Sequence, residues 1–404
     1  MKETKIYGVG IKYNENIGKD IFRTAGVMEM QCDLQTLIKN IRKNIIHRTK
    51  DDKNHTLRYM VKDDKFWASD WHEDDICNIV LHVASKDTKN ENLAHHLRKN
   101  DSRSDTLPVC LCICENIDDE RSRVSWVFRH DVIDGWRAMR YLFTCAFSEY
   151  DLTYTRLQKN KRPQNSICKT FGLFLSSPLL LYKLHSLSKT SQFEKSCQFY
   201  LHVVCDLKDT KEIGKSLYLN SISECLTFVF SEAFFAGYKN ILKINVGNAV
   251  LFNSDAYVGN HMSTKLCKVT TQHVENPKKL ASMMNSSSQK QLDFAVGLLT
   301  KKFAQGKCPS KLQKWIEKQH DSLDILISSI PCTDTSQPNV QDLMVCRECA
   351  EWYPNIVYCL GINGKLYMDV YWQVSEDFDE VNFLKVLTNR IKPLRHHTNL
   401  PKIY

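Results

Sequence analysis

The sequence predicts a mixed α/β fold built in two halves, on three observations. Short apolar runs that alternate like strands lie between segments with the i, i+3, i+4, i+7 apolar spacing of amphipathic helices. A basic, Ser/Thr-rich stretch at 151–196 separates two such sets. Each half also holds a hairpin signal: a charged turn at 116–123 between two apolar runs, and Asn363-Gly364 flanked by Ile356 to Ile362 and Leu366 to Trp372. The expected organisation is a first half at 1–150, a crossover at 151–196 and a second half at 197–404.

Taken in order, Lys5 to Tyr13 reads as a strand. Asp33 caps a helix whose Leu34, Leu37, Ile38, Ile41 and Ile45 share one face. Phe66-Trp67 and Ile79 to Val83 are apolar segments separated by the acidic Glu73-Asp74-Asp75. Residues 86–106 are polar and read as a helix and a loop. Pro108 to Cys114 alternates as a strand, and Val124 to Phe128 returns as its hairpin partner. A helix bearing Trp136, Met139, Leu142, Phe143 and Ala146 follows. Beyond the crossover, Phe199 to Cys205 reads as a strand and Lys208 to Lys215 as a helix. Ser223 reads as the cap of a long helix carrying Leu226, Phe230, Ala233, Phe234 and Tyr238. Residues 241–274 look extended, and Asp379 caps a last helix with Phe383, Leu384, Leu387 and Ile391.

Composition sets outer bounds. Apolar residues at 43% and charged residues at 25% suit a globular chain with a sizeable core. The net charge of +9 is spread out, with denser patches at Arg42-Lys43, His47-Arg48-Lys50 and Lys159 with Lys161-Arg162. These suit a phosphate-bearing ligand or an anionic surface. They lack the interleaved aromatic residues of a nucleic-acid face, so no nucleic acid is expected. The opening Met1-Lys2-Glu3-Thr4-Lys5 is too polar for a secretory signal. The 16 cysteines therefore read as reduced thiols of a cytoplasmic protein, and Cys110, Cys112 and Cys114 alternate too closely along one strand to bridge each other. Cys346-Arg347-Glu348-Cys349 has no second pair, so no metal site is expected. No apolar run reaches the roughly 18–20 residues of a membrane span. The nearest, 171–182, is broken by Pro178 and is the candidate for peripheral membrane contact.

The stretch from Trp126 to Trp136 carries the chemistry. An apolar run ends at His130, and Asp134-Gly135 follow four and five residues later. A strand that delivers a histidine to its end and then turns holds an imidazole rigidly in a cleft. The spacing H-x-x-x-D-G resembles the active-site motif of the CoA-dependent acyltransferase superfamily, which includes chloramphenicol acetyltransferase and condensation domains. Arg129 stands where a first histidine precedes the base in HHxxxDG. Further landmarks, in order, are similar to the wax ester synthase/diacylglycerol acyltransferase family. Phe66-Trp67 to Asp75 with His82-Val83 comes first, then Asp105 to Val109 with Cys110 in place of tryptophan. Ser221 to Leu226, Tyr257 to Asn260, Ser328-Ser329-Ile330-Pro331 and the Gly364 to Leu366 hairpin follow.

The resemblance implies two chloramphenicol acetyltransferase-like domains, each with a mixed sheet, and a substrate channel between them. It implies transfer of a long-chain acyl group from acyl-CoA to a fatty alcohol or a diacylglycerol, making wax ester or triacylglycerol. His130 would be the general base, since a histidine with its ordinary pKa of about 6.5 is mostly neutral near pH 7. Asp134 would orient the turn, Gly135 would allow a backbone approach that a Cβ blocks, and Ser328 or Ser329 would donate to the oxyanion. Arg129 would set a positive charge beside the base, with Asp131 to compensate. Acyl-CoA is a substrate, and no cofactor is implied. Lipid substrates imply a cytoplasmic protein resting peripherally on the endoplasmic reticulum or another membrane. The second reading is a protein that keeps this fold for binding or scaffolding.

Overall fold

The structure, a computed structural model, describes residues 3–5, 23–51, 56–62, 65–68, 71–83, 109–129, 133–139, 197–251, 262–286, 289–290, 323–330, 340–347 and 355–397. Within these, the first half supplies strands β1 (Glu3–Lys5), β2 (Arg23–Met30), β3 (Tyr59–Lys62), β4 (Lys65–Ala68), β5 (Leu81–Val83), β6 (Val109–Asn116) and β7 (Ser122–Arg129). The second supplies β8 (Cys197–Asp206), β9 (Lys243–Leu251), β10 (Met262–Thr270), β11 (Ile325–Ser329), β12 (Val340–Arg347), β13 (Ile356–Ile362), β14 (Lys365–Val374) and β15 (Arg395–His397). They form a seven-stranded sheet in the order β10-β9-β11-β13-β14-β8-β15, a five-stranded sheet β12-β2-β7-β6-β5 and a small antiparallel sheet β1-β4-β3.

Both large sheets are mixed. In the first, β5 runs parallel to β6 and the other pairs are antiparallel. In the second, β11 is parallel to both its neighbours. The fold class is therefore the mixed α/β arrangement that the sequence predicts.

The seven-stranded sheet is buried on both faces, and β8 shows how. Tyr200 and Val204 face a core shared with the first half, while Leu201, Val203 and Cys205 pack under the helices Ile222–Gly237 and Glu380–Ile391. A strand covered on both sides reads as a continuous apolar run. β13 and β14 close through Asn363 and Gly364, whose φ values of 54° and 70° are those a two-residue hairpin of matching twist requires.

One strand crosses between the sheets. β12 belongs by sequence to the second half, yet it pairs antiparallel with β2, placing Val345 beside Gly26 and Leu343 beside Met28.

Capping follows the expected chemistry with one correction. Asp33 accepts from the Thr36 amide at 2.9 Å and Asp379 from the Asn382 amide at 3.0 Å. The long helix, however, is capped by Ser221 rather than Ser223. Ser221 Oγ accepts from the Glu224 amide at 3.1 Å, and the Glu224 carboxylate accepts in return from the Asn220 amide at 2.8 Å. The Ser-x-x-Glu spacing starts at 221, and that fixes the cap. Ser223, two residues further on, bonds Asn248 at 2.9 Å.

Glu73, Asp74 and Asp75 form the first turn of the helix Glu73–Val80, where carboxylates complement the helix dipole. In the helix Leu34–Asp51, Leu37, Ile41 and Ile45 are buried, while Arg42, Lys43, His47 and Lys50 are exposed.

Of the expected strand Lys5 to Tyr13 only Lys5 is described, at the end of β1. The expected helix within 86–106, the crossover 151–196 with its 171–182 segment, the Lys159 to Arg162 patch, Cys349 and the Tyr257 to Asn260 landmark lie outside the described residues, as do the side chains of Cys110, Cys112 and Cys114. No helix among the described residues is long and apolar enough to cross a membrane.

Candidate active site

The segment that carries the motif is held from both ends. β7 ends at Arg129, a buried residue whose carbonyl accepts from the Ile133 amide at 3.0 Å. Helical backbone begins at Gly135, and Asp134 caps it. The Asp134 carboxylate accepts from the Arg137 amide at 3.0 Å, and its carbonyl accepts from the Ala138 amide at 3.0 Å. The same carboxylate is ion-paired with the Arg137 guanidinium, and the two side chains are 0% and 2% exposed. Removing one partner of such a buried pair typically costs about 3–5 kcal/mol, because a bare charge stays behind. His130 and Asp131, expected as base and compensating acid, lie outside the described residues.

Gly135 and Ser328 meet in a pocket between the two large sheets. Its floor is the inner face of the five-stranded sheet, with Thr24 from β2, Trp126 and Phe128 from β7 and Val345 from β12. Ser328, Ile330, Tyr358 and Leu360 form its roof, and Met139 follows Gly135 along one side. The empty space between these walls and at their mouth, open solvent included, is about 340 Å³, of which the enclosed part is small.

Among the described residues, a methyl group on Gly135 would meet nothing nearer than Ile330 Cδ1 at 3.4 Å, an ordinary contact. No described residue blocks a Cβ there, and the missing side chain leaves room at the pocket wall.

The strand period separates the two serines. Leu326 faces the core shared with the first half, and Ile325 and Ile327 face the helices. Ser328 therefore faces the pocket and Ser329 the opposite side.

A buried charged cluster stands behind the pocket, and its residues escaped the sequence reading. His202 on β8 is fully buried, with Nδ1 2.8 Å from Asp369 on β14 and Nε2 3.3 Å from Asp342 on β12. Burial alone would lower the imidazole pKa, but the two carboxylates prevail and raise it to about 9. Asp342 is held below its ordinary value, against its own burial, by His202 and Arg395.

Asp369 also accepts from the Tyr200 hydroxyl at 2.9 Å and the Val345 amide at 2.8 Å, while the Tyr371 hydroxyl donates to the Val345 carbonyl at 3.0 Å. Both backbone groups of a pocket-lining residue are thus gripped by side chains of the other sheet. The signal in the sequence was a histidine and an aspartate inside the otherwise apolar runs 199–205 and 366–372.

Among solved structures the chain is similar to the trichothecene 15-O-acetyltransferase of Fusarium sporotrichioides. The TM-score is 0.59 at 10% identity, covering 96% of this chain and 95% of that one. It is similar to the starter condensation domain of rhizomide synthetase in complex with C8-CoA and Leu-SNAC, with a TM-score of 0.58 at 10% identity over 96% and 93% of the two chains. The epimerization domain from the third module of tyrocidine synthetase B matches with a TM-score of 0.58 at 13% identity, over 97% and 95%.

The fold is that of the chloramphenicol acetyltransferase-like proteins. Neither a family profile nor a curated protein matches the chain by sequence. The solved structures agree with the fold that the resemblance implies and do not single out the wax ester synthase branch.

Proposed function

We propose that this protein is a CoA-dependent O-acyltransferase. The observation that carries the reading is the joining of Gly135 of the H-x-x-x-D-G motif and Ser328 of the Ser-Ser-Ile-Pro segment in one pocket between the sheets. In this reading His130 takes the proton of an acceptor hydroxyl as its oxygen attacks the thioester carbonyl. The C–O bond forms, the C–S bond breaks, and CoA leaves with the proton. Ser328, the serine on the pocket side, donates to the oxyanion of the tetrahedral intermediate. Asp134, paired with Arg137, fixes the turn that follows the base and is a positioning residue.

The finer reading is transfer of a long-chain acyl group to a fatty alcohol or a diacylglycerol. It is supported by the collinear landmarks from Phe66-Trp67 to the Gly364 hairpin. Two of the three structural matches support acyl transfer in kind, one through an O-acetyltransferase and one through a bound C8-CoA.

The test is acyl transfer from labelled palmitoyl-CoA to a mixture of fatty alcohol and diacylglycerol, by the wild type and by His130→Ala. The wild type should form labelled ester, and the variant should be about 10²–10⁴-fold slower, the usual worth of a general base. No ester from either, with CoA binding intact, would sink the enzyme and leave the binding protein.

A further inference from the structure

Two side chains that line the pocket each carry a buried polar atom with no hydrogen-bond partner among the described residues. Thr24 Oγ1 and Trp126 Nε1 are buried, at 2% and 1% exposure of their residues, and neither makes a hydrogen bond to another described residue. More than about nine in ten buried polar groups are satisfied in native proteins, and an unsatisfied one typically costs about 1–3 kcal/mol. Finding two of them on side chains that line one pocket points to a ligand that completes both.

They are diagonal neighbours. Gly26 pairs with Trp126 and Thr24 with Phe128, so all four present the same face of the β2–β7 ladder. The indole lies over Gly26, where even a methyl group would come within 2.0 Å of Trp126 Cζ2. That glycine therefore seats the ring in the pocket floor.

The nature of the ligand follows from the donors. An indole N–H only donates, so its partner is an acceptor oxygen. Among the described residues no charged side chain lines the pocket, and its other walls are mostly apolar, which disfavours a carboxylate or a phosphate. A plain fatty alcohol has a single oxygen, and the base must engage it.

We propose that the pocket binds a neutral carbonyl oxygen of the substrate through Trp126 Nε1–H and the Thr24 hydroxyl, and so selects an ester-bearing alcohol over a plain one. This rests on the acyl-transfer reading and names the acceptor class within it, that of a diacylglycerol. The same chemistry would also suit a keto oxygen on the acyl group of the donor.

The experiment is calorimetric binding in two arms. The acceptor arm compares 2-hydroxyethyl butyrate with 1-heptanol of equal chain length, and the donor arm compares acetoacetyl-CoA with butyryl-CoA. Wild type should prefer the carbonyl-bearing member by roughly tenfold, the worth of a hydrogen bond into a dry site. The arm that shows the preference identifies which substrate brings the oxygen. Thr24→Val and Trp126→Phe should each bring the preference to within about threefold of none.

Thr24→Val should also leave the melting temperature of the free protein unchanged or raised, because its hydroxyl loses no partner. No preference in either arm, a preference that survives both variants, or a clear loss of stability in Thr24→Val would each overturn the proposal. His130→Ala keeps the binding preference if the pocket is as described, so a failure of acyl transfer shows separately from a failure of the pocket.

Discussion

Gly26 is a residue whose absent side chain decides what its neighbour can do. A Cβ there would overlap the Trp126 indole, so Gly26→Ala must displace either the ring or the strand. Overpacking of this kind typically costs about 1–3 kcal/mol, measurable by urea denaturation, and the displaced ring should take carbonyl selectivity with it. Gly135 behaves in the opposite way. Gly135→Ala should fold with near wild-type stability while weakening binding in the pocket, since its methyl would project into open space beside Ile330. Asp134→Asn leaves the cap acceptor in place but strips the charge from the buried pair with Arg137. Its stability should fall by about 3–5 kcal/mol in the same assay.

The elements meet through the cluster around His202. Because the folded imidazole is held near 9 against an unfolded value near 6.5, its contribution is fully present below about pH 6.5 and is lost as the pH rises through about 9. The melting temperature should therefore decline between pH 7 and 9.5, and His202→Gln should flatten that decline. A profile identical in the variant would show that another group titrates there. The strands and helices of this region were legible in the sequence wherever one period ruled: the hairpin at Asn363-Gly364, the hairpin β6–β7 and the helices capped by Asp33 and Asp379. β2 was not legible. Thr24, Gly26, Val27 and Met28 are all buried, so the strand shows no alternation, and its small residues are set by a tryptophan about a hundred positions away. The sequence favours Ser223 as the cap because neighbouring serines compete, and the Glu224 amide donating to Ser221 Oγ settles the choice. The candidate site was half legible: Gly135 and Ser328, which line one pocket, stand out in the sequence, but separating Ser328 from Ser329 needed the strand register. The orphaned donors needed the packing of two sheets.

At the scale of the whole molecule, the five-stranded sheet depends on β12 for one of its edges, and the His202 cluster ties that strand to the larger sheet. Residues 1–196 expressed alone should therefore not reach this structure, and their amide spectrum should lack the dispersion of a folded domain. Residues 340–347 added as a separate peptide would have to pair with Arg23–Met30 before any dispersion returned. The same dependence has a temporal side. On the ribosome, β2 is made long before its partner, and the roughly 310 residues between Met30 and Val340 take roughly 15–60 s to add at ordinary elongation rates. Throughout that interval the nascent chain exposes an unpaired strand edge, a standing invitation to mispairing with other chains. A holdase chaperone bound to that edge would be the expected companion of its synthesis.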